Sequence, residues 1–270
     1  MDGNTNMTET STPLLGPNDP SAFEKINSDG TAHLVLICDH AGRAVPTALG
    51  GLGMQASDME RHIAYDIGAR AVTERMSEML DATAILHNYS RLVIDCNRPL
   101  GHPESIGDVS DDTAIPGNER LSEPDALKRV DALFWPYHQT ISTEIGHRWR
   151  TEGVPPVLFS VHSFTPNFGT QERPWDAGVL YNRDPRIGEP MMEILREQGL
   201  NIGDNEPYSG MEAAYTIDFH GTSPGLANGV IEIRQDQVAD EEGQERWAQI
   251  LAYALQQIIR RDGMYSVQRF

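Results

Sequence analysis

The sequence predicts an α/β fold, a three-layer sandwich with a mixed, mostly parallel central sheet. Short, nearly continuous apolar runs at residues 33–38 (HLVLIC), 157–162 (VLFSVH) and 230–234 (VIEIR) have the length and Val/Ile content of strands buried on both faces, as in a parallel sheet. Segments of helical length separate these runs. The 270 residues are 39% hydrophobic and 23% charged, enough apolar material for one large core, which excludes wholesale disorder.

Residues 1–28 are polar and rich in Thr, Asn, Gly and Pro, and read as a mobile or loosely docked tail. Residues 29–270 read as a single α/β domain. After the first strand, residues 58–80 read as a helix capped by Ser57 or Asp58, with Ile63, Ile67, Ala71 and Met76 at roughly helical spacing. Residues 82–86 and 92–96 are strand candidates flanking the turn-like His87–Asn88–Tyr89–Ser90. Residues 101–121 form a long Gly, Pro and Asp-rich loop of the kind that carries function. Residues 122–149 read as helix, 157–162 and 178–181 as strands, 190–198 as helix, 230–234 as strand and 241–261 as the closing helix.

Composition narrows the partners. Lys+Arg 21 against Asp+Glu 40 gives a net charge of −19, which repels nucleic acid and anionic lipid headgroups. Cys38 and Cys96 are too few for a disulfide scaffold or a cysteine-rich zinc site, and both sit in apolar runs as reduced residues would. No stretch reaches the roughly 18–20 apolar residues that span a bilayer. The first residues carry no basic-then-apolar leader pattern. A cytoplasmic location follows as the expectation. A small molecule is the expected partner, and the oligomeric state is left open.

Ligands of open α/β sheets sit beyond the carboxyl ends of strands, so the polar residues there carry the functional reading. His40 follows the first strand and His162 ends the fourth. Two imidazoles on rigid strand ends suit a shared metal, zinc as first choice, although a histidine that only caps a turn is the competing explanation for each. Glu60, in the expected first turn of the 58–80 helix, is the first choice for a carboxylate ligand. Asp58, His62 and Asp66 compete with it, and an acid answering the helix dipole is an equally good account of Glu60. Glu232 lies between Ile231 and Ile233, where an unpaired carboxylate costs several kcal/mol. It reads as a general base beside a metal-bound water, against a structural pair with Arg234 on the same strand face. Arg91, Asn97 and Arg98 surround an apolar segment. Arg91 suits a developing oxyanion, and Asn97 and Arg98 suit a substrate carboxylate. Arg234 and the loop residue His220 are further candidates for touching substrate.

The motifs CDHAGRAVP, DMERHIAYDIGA, NYSRLVIDCNRP, WPYH, VHSFTP, NRDPR, GDNEPYSG and EIRQD, in that order, resemble the N-formylglutamate amidohydrolase family from residue 33 to about 260. The resemblance implies a fold similar to zinc-dependent exopeptidases. It also implies hydrolysis of the formamide bond of N-formyl-L-glutamate to formate and glutamate, in histidine breakdown. In the wider superfamily, His-x-x-Glu and a later His hold zinc. His40 and His162 match the two histidines, but Arg43 stands where that glutamate would be, so the carboxylate ligand must come from elsewhere. Arg91, the Asn97–Arg98 pair and Glu232 match the oxyanion, carboxylate-binding and base positions. The alternatives are a metal amidase for another N-acyl amino acid or a short peptide, and a metal- or anion-binding relative without turnover.

Overall fold

The computed structural model of the chain describes residues 13–211 and 214–270. In chain order the elements are β1 (Phe23–Ile26), β2 (Leu34–Cys38), α1 (Ala69–Leu80), β3 (Thr83–His87), a small hairpin of β4 (Val109–Ser110) and β5 (Thr113–Ala114), α2 (Glu123–Arg129) and α3 (Trp135–Glu152). There follow β6 (Val157–Phe164), a second small hairpin of β7 (Asn167–Phe168) and β8 (Gln171–Glu172), β9 (Ala177–Leu180), α4 (Pro185–Glu197) and β10 (Ile202–Asp204). A short helical turn α5 (Tyr215–Ile217), β11 (Asn228–Arg234) and α6 (Glu241–Ile258) close the chain.

Seven strands form one mixed sheet in the order β1-β3-β2-β6-β11-β9-β10. β3, β2, β6 and β11 run parallel, β1 is antiparallel to β3, and β9 is antiparallel to β11. Strand alternation divides the core into two halves. Leu34, Leu36, Phe159, Val161, Ile231 and Ile233 pack against α1, α4 and α6. Val35, Ile37, Leu158 and Val230 face the α3 side with Tyr137, Ile141 and the 92–94 segment. Helices therefore cover both faces, which makes the three layers that the apolar runs predict.

Local signals fix the helix starts. Asp184 accepts from the Arg186 amide at 3.0 Å with Pro185 in the first turn of α4, and Asp240 accepts from the Gly243 amide at 2.8 Å at the start of α6.

Three expectations are corrected. The helix expected over 58–80 is a three-residue turn (Asp58–Glu60), an irregular stretch, and then α1. Gly68 is the reason: its φ is +78°, and a Cβ there would stand 2.3 Å from the Val238 carbonyl oxygen, so the chain turns sharply before α1 begins. The strand expected over 92–96 is a buried series of turns, opened by Ser90, whose carbonyl accepts from the Val93 amide at 2.9 Å. A short apolar run does not by itself separate strand from other buried backbone. Of the expected tail, residues 1–12 lie outside the described residues, while Phe23–Ile26 adds an edge strand on β3. Among the described residues no helix is long and apolar enough to cross a membrane.

Candidate active site

The parallel strands β2, β6 and β11 finish at one edge of the sheet, and the polar residues there converge. Glu232 and His162 are register partners on adjacent strands, so their side chains project from the same face. His40 lies two residues beyond β2. The two imidazoles are 5.0 Å apart between ring centres. Asp66 comes to them from the turn before α1, its amide held by the His40 carbonyl at 3.0 Å. The Nδ1 atoms of His40 and His162 lie 3.3 and 2.8 Å from the same oxygen, Asp66 Oδ2. Each opposite ring nitrogen meets another buried carboxylate: His40 Nε2 is 2.7 Å from Asp95 Oδ1, and His162 Nε2 is 3.0 Å from Asp39 Oδ2. Arg91 holds Asp95 through Nη2 and Nε at 2.7 and 3.1 Å and stands 3.6 Å from Asp66 Oδ1.

This arrangement fits a metal ion. Neutral imidazoles that donate Nε2–H to Asp95 and Asp39 turn both Nδ1 lone pairs toward Asp66, so three acceptors face one point. Ligand atoms of His40, Asp66 and His162 all lie within 4.8 Å of one another, and all three residues are buried. With neutral rings, ionised Asp39, Asp66 and Asp95 outnumber the Arg91 charge by two, which a divalent cation would balance. Without such a cation the neighbouring carboxylates favour the protonated form of both rings. The two aspartates raise His162 well above the usual imidazole range against the pull of burial. Burial raises Asp39, but His162 more than offsets it and brings the carboxyl down to about 2. Asp66 is lowered further by the two imidazoles.

Glu232 differs from the other acids. Burial pushes its carboxyl up to about 7, opposed by His162 and reinforced by the Asp66 charge. Its Oε2 is buried and has no hydrogen-bond partner among the described residues. A buried carboxylate oxygen left unpaired costs on the order of 1–3 kcal/mol or more, which marks an atom held for something not yet bound. Glu232 lines a cavity of about 110 Å³ together with His40, Asp66 and His162. Arg91, Asn97, Arg98, Tyr208 and Gln235 also belong to its wall.

Eight of the residues named from sequence, His40, His162, Glu232, Arg91, Asn97 and Arg98 with the alternatives His62 and Asp66, thus share one cavity. Four do not. Glu60 is 63% exposed at its side chain and pairs with Arg43 on the surface, so Asp66 replaces it as the third acceptor. Asp58 pairs with Arg61, and His62 lines the cavity without joining the acceptor cluster. His220 is buried outside the cavity, stacked on His138 with 2.8 Å between His220 Nε2 and His138 Nδ1. Arg234 turns to Asp236 at 2.8 Å and to the Trp175 carbonyl at 3.2 Å. Asp39, Tyr208 and Gln235 were given no role in the expectations from sequence, although Asp39 stands beside His40 and the other two fall within the motifs GDNEPYSG and EIRQD.

The model of the N-formylglutamate amidohydrolase family matches residues 32–239. The chain belongs to this family. A solved structure of a gene product from Agrobacterium tumefaciens is 32% identical, covers 91% of this chain and 98% of its own, and superposes with a TM-score of 0.88. The structure of an N-formylglutamate amidohydrolase from Ralstonia eutropha shares the fold, with 17% identity, coverage of 88% and 97%, and a TM-score of 0.67. No curated protein matches the chain. Family membership places the buried cluster in an amidohydrolase whose His40, Asp66 and His162 can hold a metal ion.

Proposed function

We propose that this member of the N-formylglutamate amidohydrolase family is a metal-dependent hydrolase of the acyl C–N bond of N-acyl amino acids, with N-formyl-L-glutamate, cleaved to formate and glutamate, as its first candidate substrate. The observation that carries the reading is the convergence of three buried acceptors beside the unpartnered Oε2 of Glu232. His40 Nδ1, Asp66 and His162 Nδ1 are the residues that would hold the ion. A bound divalent cation, zinc first, supplies Lewis acidity toward the amide carbonyl and toward water.

The chain's own residues do the rest. Glu232 accepts a proton from the attacking water as the new C–O bond forms, and returns it to the amine nitrogen as the C–N bond breaks. Its buried place in the cavity wall suits a group that takes up and gives back a proton. Arg91, pinned by Asp95, offers a fixed positive charge to the oxygen that gains negative charge. Asn97 and Arg98 hold a carboxylate of the amino acid. The Asn97 side chain is itself fixed, its Oδ1 accepting from the Thr216 amide at 3.0 Å. In the cell, a protein of this kind would act in the cytoplasm and in histidine breakdown.

The unpartnered Glu232 also argues against a binding protein without turnover, since binding an ion or anion needs no unpaired buried base. Formate release from N-formyl-L-glutamate tests the reading. We expect turnover that chelation abolishes and zinc restores. Glu232→Gln should lower kcat by at least about a hundredfold while still binding metal. Activity that survives exhaustive chelation would remove the metal from the reaction.

A further inference from the structure

The metal-site cavity adjoins a second one of about 270 Å³, and His62, Arg91 and Tyr208 belong to both walls. The one-carbon acyl part of a formyl amide leaves that space unused. The apolar part of the second wall comes from Leu92 and Ile115, with Val109 and Phe168 on the two small hairpins. Val109 is 58% and Phe168 56% exposed, on separate excursions of the chain that meet at one cavity. Each acid in this wall is engaged: Asp95 with Arg91, Glu104 with Arg98 at 3.0 Å, and Asp111 with Arg61 at 3.2 Å. His62 stands 3.5 Å from Asp111 and Arg91 is held by Asp95, so the charges of this wall are paired and what it offers a ligand is its apolar part.

Direction follows from the walls. Asn97 and Arg98 line the first cavity and not the second, while Arg91 stands at the junction, beside Asp66. An amino-acid carboxylate held at Asn97 and Arg98, with the amide at the acceptor cluster, leaves the second cavity for the acyl group. We propose that the second cavity is an acyl subsite, and that it extends the substrate class beyond the formyl compound to N-acyl amino acids whose acyl group is an uncharged aliphatic or aromatic chain of several carbons. This rests on the hydrolase reading above. The reaction is the same: water oxygen bonds to the acyl carbon, the C–N bond breaks, and the water proton reaches the amine through Glu232. The products are the carboxylic acid and the free amino acid.

The test compares N-formyl-, N-acetyl-, N-hexanoyl- and N-benzoyl-L-glutamate with the zinc-loaded protein. Calorimetry follows the binding of the same compounds to the zinc-loaded Glu232→Gln variant. We expect kcat/KM for the hexanoyl or benzoyl compound to come within about tenfold of that for the formyl compound. Phe168→Ala should reduce that ratio by about tenfold, and Val109→Ser on the other hairpin should reduce it in the same direction. Preference for the formyl compound by more than about a hundredfold, with a ratio unmoved by either variant, overturns the acyl subsite and leaves the hydrolase reading standing. If no compound is hydrolysed but the larger ones bind more tightly in a Phe168-dependent way, the hydrolase reading fails and the subsite stands. Equal binding of all four compounds overturns the subsite.

Discussion

Each site imidazole has two carboxylate neighbours, and they do different work. Asp66 faces both Nδ1 atoms, whereas Asp95 and Asp39 receive the Nε2 protons and so fix which nitrogen is free. Removing Asp66 deletes one of the three acceptors that could hold a metal ion. Removing Asp95 or Asp39 only weakens the hold on tautomer and ring angle, and lowers ligand basicity. Asp66→Asn should therefore cost the most zinc affinity, and Asp95→Asn and Asp39→Asn should each cost about 10–100-fold. Competition against a chromophoric chelator measures all three. Equal affinities in Asp66→Asn and the native protein would remove Asp66 from the ligand set. At this scale the sequence was legible where a residue's own strand placed it, as for His40, His162 and Glu232. Asp66 was only one of several alternatives, because its position depends on a turn that no periodicity encodes. Glu60 misled because its place was read from a helix that does not form there.

That turn belongs to the scale of elements. Gly68 meets two demands at once, a φ of +78° and the close approach of the Val238 carbonyl. Alanine would suffer strain of about 1–2 kcal/mol from the left-handed backbone, and the contact with Val238 adds to it. Gly68→Ala should lower Tm by at least about 3 °C and, unlike a substitution at a distant cap, weaken zinc binding by displacing Asp66. Asp240→Ala at the α6 cap is the matched control, expected to cost about 1 kcal/mol with zinc affinity unchanged. Calorimetry with a zinc titration on both variants checks this, and unaltered zinc affinity in Gly68→Ala would separate the turn from the site. The sheet itself was legible because its parallel strands are continuous apolar runs. The segment 92–96 is equally apolar, yet its residues fill space between layers. The i, i+4 spacing of Arg91 and Asp95, which meet at 2.7 Å, belongs to a turn and not to a strand. β10, three residues long, is too short for any pattern to show.

Over the whole molecule, the layers are joined by buried ionic contacts as well as by the core. Glu144 on α3 bonds Lys25 on β1 at 2.6 Å and Arg148 at 2.6 Å. Arg148 in turn reaches the carbonyls of Ala32 and Gly30 and the Thr83 hydroxyl on β3. One carboxylate thus helps to fasten the α3 layer to the β1–β3 side of the sheet. Burial pushes the Glu144 carboxyl up, but the bonds from Lys25 and Arg148 outweigh it and hold the group below its ordinary value of 4.5. A carboxyl lowered by folding adds stability that is fully present above the unfolded pKa and is lost as pH falls through the folded one. Glu144→Gln should therefore cost about 2 kcal/mol near pH 7, or about 4–8 °C in Tm. Below about pH 4.5 the gap should begin to narrow, and it closes once the lowered native carboxyl is itself protonated and resembles glutamine. Scanning calorimetry of both proteins between pH 3.5 and 7.5 reads the gap directly. A gap that stays constant down to pH 3.5 would mean that the Glu144 charge contributes nothing to holding the layers together.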